Sequence, residues 1–143
     1  MPRRFGFWAS LVLGAAFVAL ACASTSSGSR ATPEAREFPS FVYNSSASLT
    51  AYRIALTEKD ALPFLPCYCN CGAASGHRSL HDCFFEEDGS LDDHASACHV
   101  CQEEALDLAE GRAKGQPLAL IRAAIDRKLA RYGVPTDTPF PGS

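Results

Sequence analysis

No stretch of this chain alternates apolar and polar residues as a half-buried strand requires, and no segment repeats another. Helices are therefore the expected architecture. Also missing are a glycine-rich phosphate loop, a Ser/His/Asp arrangement and a cofactor fingerprint, so hydrolysis and nucleotide chemistry have no residues to run on. Positive charge is scarce. Past the first twenty-one residues, which hold Arg3 and Arg4 and no acid, eleven Lys and Arg face sixteen Asp and Glu, a net charge of −5. That balance argues against nucleic acid and against an anionic membrane surface as partners. The acidic run from Glu86 to Asp93 lacks the oxygen spacing and closing glutamate of a calcium loop, and reads as a polar turn. Cys98-His99-Val100-Cys101-Gln102 places its histidine inside the pair, whereas covalent haem needs Cys-x-x-Cys-His. At 143 residues the chain has room for one domain of ordinary size.

Charge is also absent from Phe5 to Leu20, an apolar run that follows Arg3 and Arg4 and ends at Ala19-Leu20-Ala21-Cys22. The run is shorter than the roughly 20 residues of a membrane span, and a Ser/Thr/Gly stretch follows it, so residues 1–21 read as a secretion signal. The four residues ending at Cys22 resemble a bacterial lipobox, with Ala19 at the position that usually holds leucine. The resemblance implies cleavage before Cys22 and a lipid anchor on that cysteine, which would tie the protein to a membrane of the cell envelope, outside the cytoplasm. An Ala-x-Ala site cutting the same bond would instead release a soluble protein with an odd thiol. Residues 22–40 then form a lipidated N-terminus and flexible tether, rich in Ser, Thr, Gly, Ala and Pro. Residues 41–143 form the domain.

Within that domain the pattern predicts three to four short helices around an irregular Cys-rich centre, a mainly α fold. Ser48 is placed to cap a helix carrying Leu49, Tyr52, Ile54 and Leu56, and a turn from Lys59 to Leu65 directs Ala61, Leu62 and Leu65 inward before Pro66 stops it. Asp92 or Asp93 is placed to cap a helix from His94 to Glu110, ended by Gly111 or Gly115. Pro117 suits the first turn of a last helix with Leu118, Ile121, Ile125, Leu129 and Tyr132 on one stripe.

Against these absences stands one concentration. Cys67, Cys69, Cys71, Cys83, Cys98 and Cys101 fall within thirty-five residues. In an extended segment residues two apart point the same way, so the first three can present sulfurs along one face within about 7 Å. On a continuous helix His94, Cys98 and Cys101 stand at i, i+4 and i+7 and share a stripe, which Ala105 and Leu108 extend. That stripe serves a ligand set or a core face equally well. Of the four histidines, His94 on the stripe and His81 beside Cys83 are the candidate ligands; His77 and His99 read as solvated or capping side chains.

Two chemistries suit clustered thiols. An oxidising compartment favours disulfides, three bridges here. The crowded Cys-x-Cys-x-Cys run is more than three staples need, and soft thiolates gathered this tightly suit Cu(I) or Zn(II), with imidazole as a compatible partner. A thiol redox pair would fall on Cys98 and Cys101, although no βαβ pattern accompanies it.

Pro66-Cys67-Tyr68-Cys69-Asn70-Cys71-Gly72 resembles the string that names the bacterial PCYCGC-motif lipoprotein family. The resemblance extends from Phe41 to Tyr132 through Gly76-His77, Asp82-Cys83-Phe84, His94, Cys98, Cys101, Gly115, Ile121, Ile125 and Asp126. It departs at Asn70, where the family string has glycine, which implies either a positive φ that asparagine tolerates or an altered loop. The resemblance supports fold and location and carries no established activity. The reading at this stage is a non-enzymatic, membrane-tethered protein that holds Cu(I) or Zn(II) on the six cysteines, helped by His94 and His81. The alternative is a disulfide-stapled envelope interaction module without metal.

Overall fold

Ser45, rather than Ser48, starts the first long helix. In the computed structural model, which describes residues 37–142, Ser45 is extended at φ −154°, ψ 165°, and its Oγ accepts the Ser48 N–H at 2.9 Å. Helix α1 runs Ser46–Thr57 and buries Ser48, Ala51, Tyr52 and Ala55, an i, i+3, i+4, i+7 stripe. Ser48 therefore sits one turn inside, on the buried face. The expected signal segment, Cys22 and all but the end of the tether lie outside the described residues.

A 3₁₀ helix, Ser40–Asn44, precedes α1 and buries Val42. After α1 a second one, Leu62–Phe64, delivers Ala61, Leu62 and Leu65 to the core as their spacing predicts. The cysteine-rich segment follows: a single helical turn α2, Cys71–Ser75, then a 3₁₀ turn, His81–Cys83, and an isolated antiparallel bridge between Phe85 and Leu91. Tyr52 anchors this segment to α1. Its ring meets Phe84 edge-on at 5.1 Å, and its hydroxyl donates to the Asp92 carbonyl at 2.6 Å.

The helix expected from His94 to Glu110 is two. Helix α3, His94–Ala97, ends where Cys98 turns extended (φ −98°, ψ 101°), and α4, His99–Ala113, begins immediately after it. Gln102 supplies the physical reason. Its side-chain amide donates to the carbonyls of Ala95 (2.7 Å) and Ser96 (3.1 Å), which a continuous helix would satisfy with backbone N–H groups four residues on. Of the two candidate caps, Asp93 is the N-cap of α3, while the side chain of Asp92, one residue earlier, accepts the His94 N–H at 2.6 Å.

Helix α4 is the centre of the domain, with α1 and a last helix, α5 (Leu118–Leu129), packed on it. Pro117 flanks α5 as its N-cap rather than opening its first turn, and the buried stripe is Ile121, Ile125 and Leu129. Tyr132 lies past the helix end and is largely exposed. Of the two glycines expected to stop α4, Gly115 does so, at φ 68°. Gly111 instead lies within the helix and lets α5 approach. A Cβ there would stand 2.5 Å from Ile121 Cγ1. Among the described residues there is no strand, and no helix is long and apolar enough to cross a membrane.

Candidate metal centre

Three anchors set the Cys67 to Cys71 loop. The Cys67 N–H donates to Thr136 Oγ1 at 2.8 Å and its carbonyl accepts the Thr136 N–H at 3.1 Å, so the chain's C-terminal segment clasps it. The Tyr68 hydroxyl donates to Asp126 on α5 at 2.7 Å. Arg122 clamps the same carboxylate at 2.7 and 3.0 Å and reaches the Phe64 carbonyl at 2.7 Å. From α4, Glu104 accepts the Tyr68 N–H at 3.2 Å. A backbone held from three sides presents its side chains in fixed directions.

Asn70 then turns the chain. It stands at φ 66°, ψ 13°, the one non-glycine with positive φ among the described residues, at the position where the family string has glycine. The left-handed turn carries Cys71 back toward Cys67, their sulfurs 2.7 Å apart, instead of leaving three sulfurs along an extended face. Asn70→Gly should leave stability within about 1 kcal/mol of the parent. Asn70→Val should cost about 1–2 kcal/mol, read by urea unfolding under reducing conditions.

All six sulfurs converge. Cys67 lies 3.1 Å from Cys69, 3.4 Å from Cys83 and 4.0 Å from Cys101; Cys71 lies 3.6 Å from Cys83; Cys101 lies 3.1 Å from Cys98 and 3.8 Å from Cys69. None is at the roughly 2.05 Å of a disulfide, and all six are free. Sulfurs around one tetrahedral ion at a Zn–S distance of 2.3 Å stand about 3.8 Å apart, so several of these spacings are those of a ligand shell.

Two imidazoles join them. His94 Nε2 lies 3.4 Å from Cys69 Sγ, and His77 Nδ1 lies 3.4 Å from Cys83 Sγ. The two rings meet edge-on at 4.8 Å. Although the helix is broken, His94, at the start of α3, still meets Cys98 and Cys101, with the Cys98 sulfur 3.1 Å from that of Cys101. His77 is the candidate donor that spacing alone hides: the segment between it and Cys83 folds back so that its Nδ1 lies 3.4 Å from the sulfur, and only its pairing with Gly76 in the family resemblance marked it. His81 is turned elsewhere. It stacks on Phe85 at 5.0 Å and sits 3.4 Å from Asp82, and it belongs to none of the donor groups that close on a common point. Being next but one to Cys83 in sequence did not bring it there, because the 3₁₀ turn His81–Cys83 sends the two side chains to different faces. His99 meets Tyr132 edge-on at 5.5 Å and belongs to none of the donor groups.

The donor groups overlap. Cys69, His94, Cys98 and Cys101 hold their ligand atoms within 4.8 Å of one another, as do Cys71, His77, Cys83 and His94, and two further triples share Cys67. These residues could hold a metal ion.

Thiols this close compete for protons. Hydrogen bonds from Cys101, Cys71 and Cys83 hold Cys67 down to about 4, outweighing Cys69 and burial. Cys69 is lowered too, by Cys101 first and then Cys67. The donors are pushed the other way: Cys101 and Cys71 are raised, each first by its bond to Cys67. For Cys83 and Cys98 a lowering bond to Cys101 is outweighed, in Cys83 by Cys67 and Cys69 and in Cys98 by Cys69 and burial, which leaves Cys98 at about 11. Without a cation the cluster ionises only in part.

Glu104 completes the surroundings. Its carboxyl is buried behind the sulfurs, Oε2 has no hydrogen-bond partner, and its pKa is raised well above the ordinary carboxylate value, by burial first and then by Cys67. Its signal in the sequence was faint: it stands three residues after Cys101, on the buried face of α4.

The family described as "Protein of unknown function with PCYCGC motif" matches residues 17–141. No curated protein and no solved structure matches the chain.

Proposed function

The chain belongs to the PCYCGC-motif family, and from that premise and the sulfur cluster we propose that it is a lipid-tethered, non-enzymatic protein that binds a soft metal ion outside the cytoplasm. One observation carries the reading: six free thiols from three separated stretches of chain, with two imidazoles, place their donor atoms within coordination range. Buried thiols of this number cannot all ionise unaided, and a soft cation is what stabilises them as thiolates. Cu(I) ranks first, on the predominance of sulfur donors, and Zn(II) second, on the tetrahedral spacing. The leader and the residues around Cys22 support export and lipidation at that cysteine. A tether from Cys22 to the domain would hold the cluster clear of the membrane, where it can handle or scavenge the ion.

The test is a mass measurement of the full-length protein purified anaerobically in detergent, without reductant, beside elemental analysis. Expected are bound copper or zinc, six alkylatable thiols once the metal is removed, and acyl mass on an N-terminal Cys22. Three intact disulfides with no metal would overturn the metal reading. An unacylated N-terminus would overturn the tether.

A further inference from the structure

The donors outnumber what one ion can use. A tetrahedral soft ion takes four ligands, and eight donors converge here, six sulfurs and two imidazoles. They can be divided so that each ion has four, although His94 and Cys67 reach both sides. Cys69, Cys98, Cys101 and His94 close on one point, with His94 Nε2 3.4 Å from Cys69. Cys71, Cys83 and His77 form a second group, whose ligand atoms also lie within 4.8 Å of His94. The remaining sulfur, Cys67, stands between the two groups, 3.1 Å from Cys69 and 4.0 Å from Cys101 of the first, and 2.7 Å, its shortest contact, from Cys71 and 3.4 Å from Cys83 of the second.

We propose that the cluster is a two-ion centre, built from an outer set of Cys69, Cys98, Cys101 and His94 and an inner set of Cys67, Cys71, Cys83 and His77. The inference rests on the metal-binding function proposed above and deepens it. Each set is three sulfurs and one imidazole, and each of the eight donors is used once. Charge supports the division. Two divalent ions bring six thiolates to −2, whereas one ion would leave at least two buried sulfurs to remain protonated within hydrogen-bond distance of thiolates.

The two sets differ in access. Cys69, Cys98 and His94 are half-buried and line an open cleft, with Tyr68 and His99 on its wall. Cys67, Cys71 and Cys83 are buried, and of the inner donors only the half-buried His77 reaches a cleft. The outer ion is the exchangeable one and the inner ion the resident one.

The test uses full-length protein in detergent, reduced and anaerobic, titrated with Co(II) and then with Zn(II), with metal counted by elemental analysis after removal of the excess. The expected count is two per chain. Cys98→Ser should lower it to one by emptying the outer set, and Cys83→Ser should lower it to one by emptying the inner set. A chelator should strip the parent in two phases, outer ion first. A count of zero in the parent overturns this proposal, and a zero count that persists when Cu(I) is supplied overturns the metal-binding function with it. A count of one, or of three or more, overturns the division alone and leaves the function standing. Removal in a single phase, or a fall from two to zero in both variants, overturns the separateness of the sets. The parent's count and its removal kinetics decide the matter even if a variant fails to fold.

Discussion

Reduced, metal-free protein will melt far below the same protein supplied with Zn(II) or Cu(I). A ligand that binds only the folded state stabilises by about 2.7 kcal/mol at a hundred times its dissociation constant, and a domain near 100 residues gains roughly 4–8 °C per kcal/mol. A rise of about 10–20 °C is therefore expected. The folded state is the one that gathers the sulfurs, since Cys67, Cys83 and Cys98 lie on separate stretches of chain and meet only through the tertiary fold. Unfolded chain will also bind some metal through its Cys-x-Cys run, which trims the gain. The pH dependence has a fixed sign. Cys71, Cys83, Cys98 and Cys101 hold protons that the metal must displace, because their pKa values are raised, so the rise in melting temperature shrinks as pH falls and more protons compete. Differential scanning fluorimetry at pH 8 and pH 6 with a reductant reads both effects. A shift under 2 or 3 °C at saturating metal, on the order of what about 0.5 kcal/mol produces, or a shift that grows on acidification, would remove the cluster as a metal site.

What the sequence disclosed about the fold was its periodic part. Ile121, Ile125 and Leu129 recur at helical spacing and are buried at that spacing, and Ala61, Leu62 and Leu65 reach the core from a short turn. Where local signals competed, the outcome depended on tertiary partners. Ser45 and Ser48 are both good caps, and only the extended backbone at Ser45 decides between them. An unbroken helix through Cys98 is locally acceptable, yet Gln102, four residues later, takes the carbonyls that would have continued it. Gly111 looked like a stop signal and is a contact point, because the need for a missing side chain arises from Ile121 on another helix.

At the site, legibility followed the same line. Six cysteines in thirty-five residues announce convergence by density alone, and Asn70 in the glycine position of the family string left a positive φ or an altered loop open, of which the positive φ is the one found. The histidines were harder. His81 is two residues from Cys83 and stacks on Phe85 instead; His77 is six residues from the same cysteine and meets it. Two and six residues are both short distances through a turn, and which one returns to Cys83 depends on how α2 ends and the next 3₁₀ turn begins. Asp126, Arg122 and Thr136, which hold the loop in place, come from the far end of the chain, where ordinary surface residues would look the same in sequence.

Glu104→Gln should stabilise the reduced, metal-free protein at neutral pH, and the gain should grow as pH rises. The carboxyl is fully buried, one oxygen accepts the Tyr68 N–H, and the other has no partner. Burial first, and then the Cys67 thiolate, raise its pKa. The folded state consequently binds this proton more tightly than the unfolded chain does. Between the unfolded and folded pKa values stability falls with rising pH, by up to about 1.4 kcal/mol per unit for one group, and above the folded value the loss is complete. Glutamine keeps the acceptor for Tyr68 and has no proton to lose, so it resembles the neutral acid at every pH. Leaving a buried polar atom unsatisfied costs about 1–3 kcal/mol, more where it is charged, and a gain of about that size is expected at pH 8, vanishing near pH 4. Urea unfolding of parent and variant across that range reads the effect together with the repulsion that the carboxylate exerts on the neighbouring Cys67 thiolate. A loss of stability at every pH would mean that the carboxylate is ionised and compensated in the folded state. In metal-loaded protein the gain should shrink, since cations held by Cys67 and Cys69 offset the negative charge that the carboxylate otherwise faces alone.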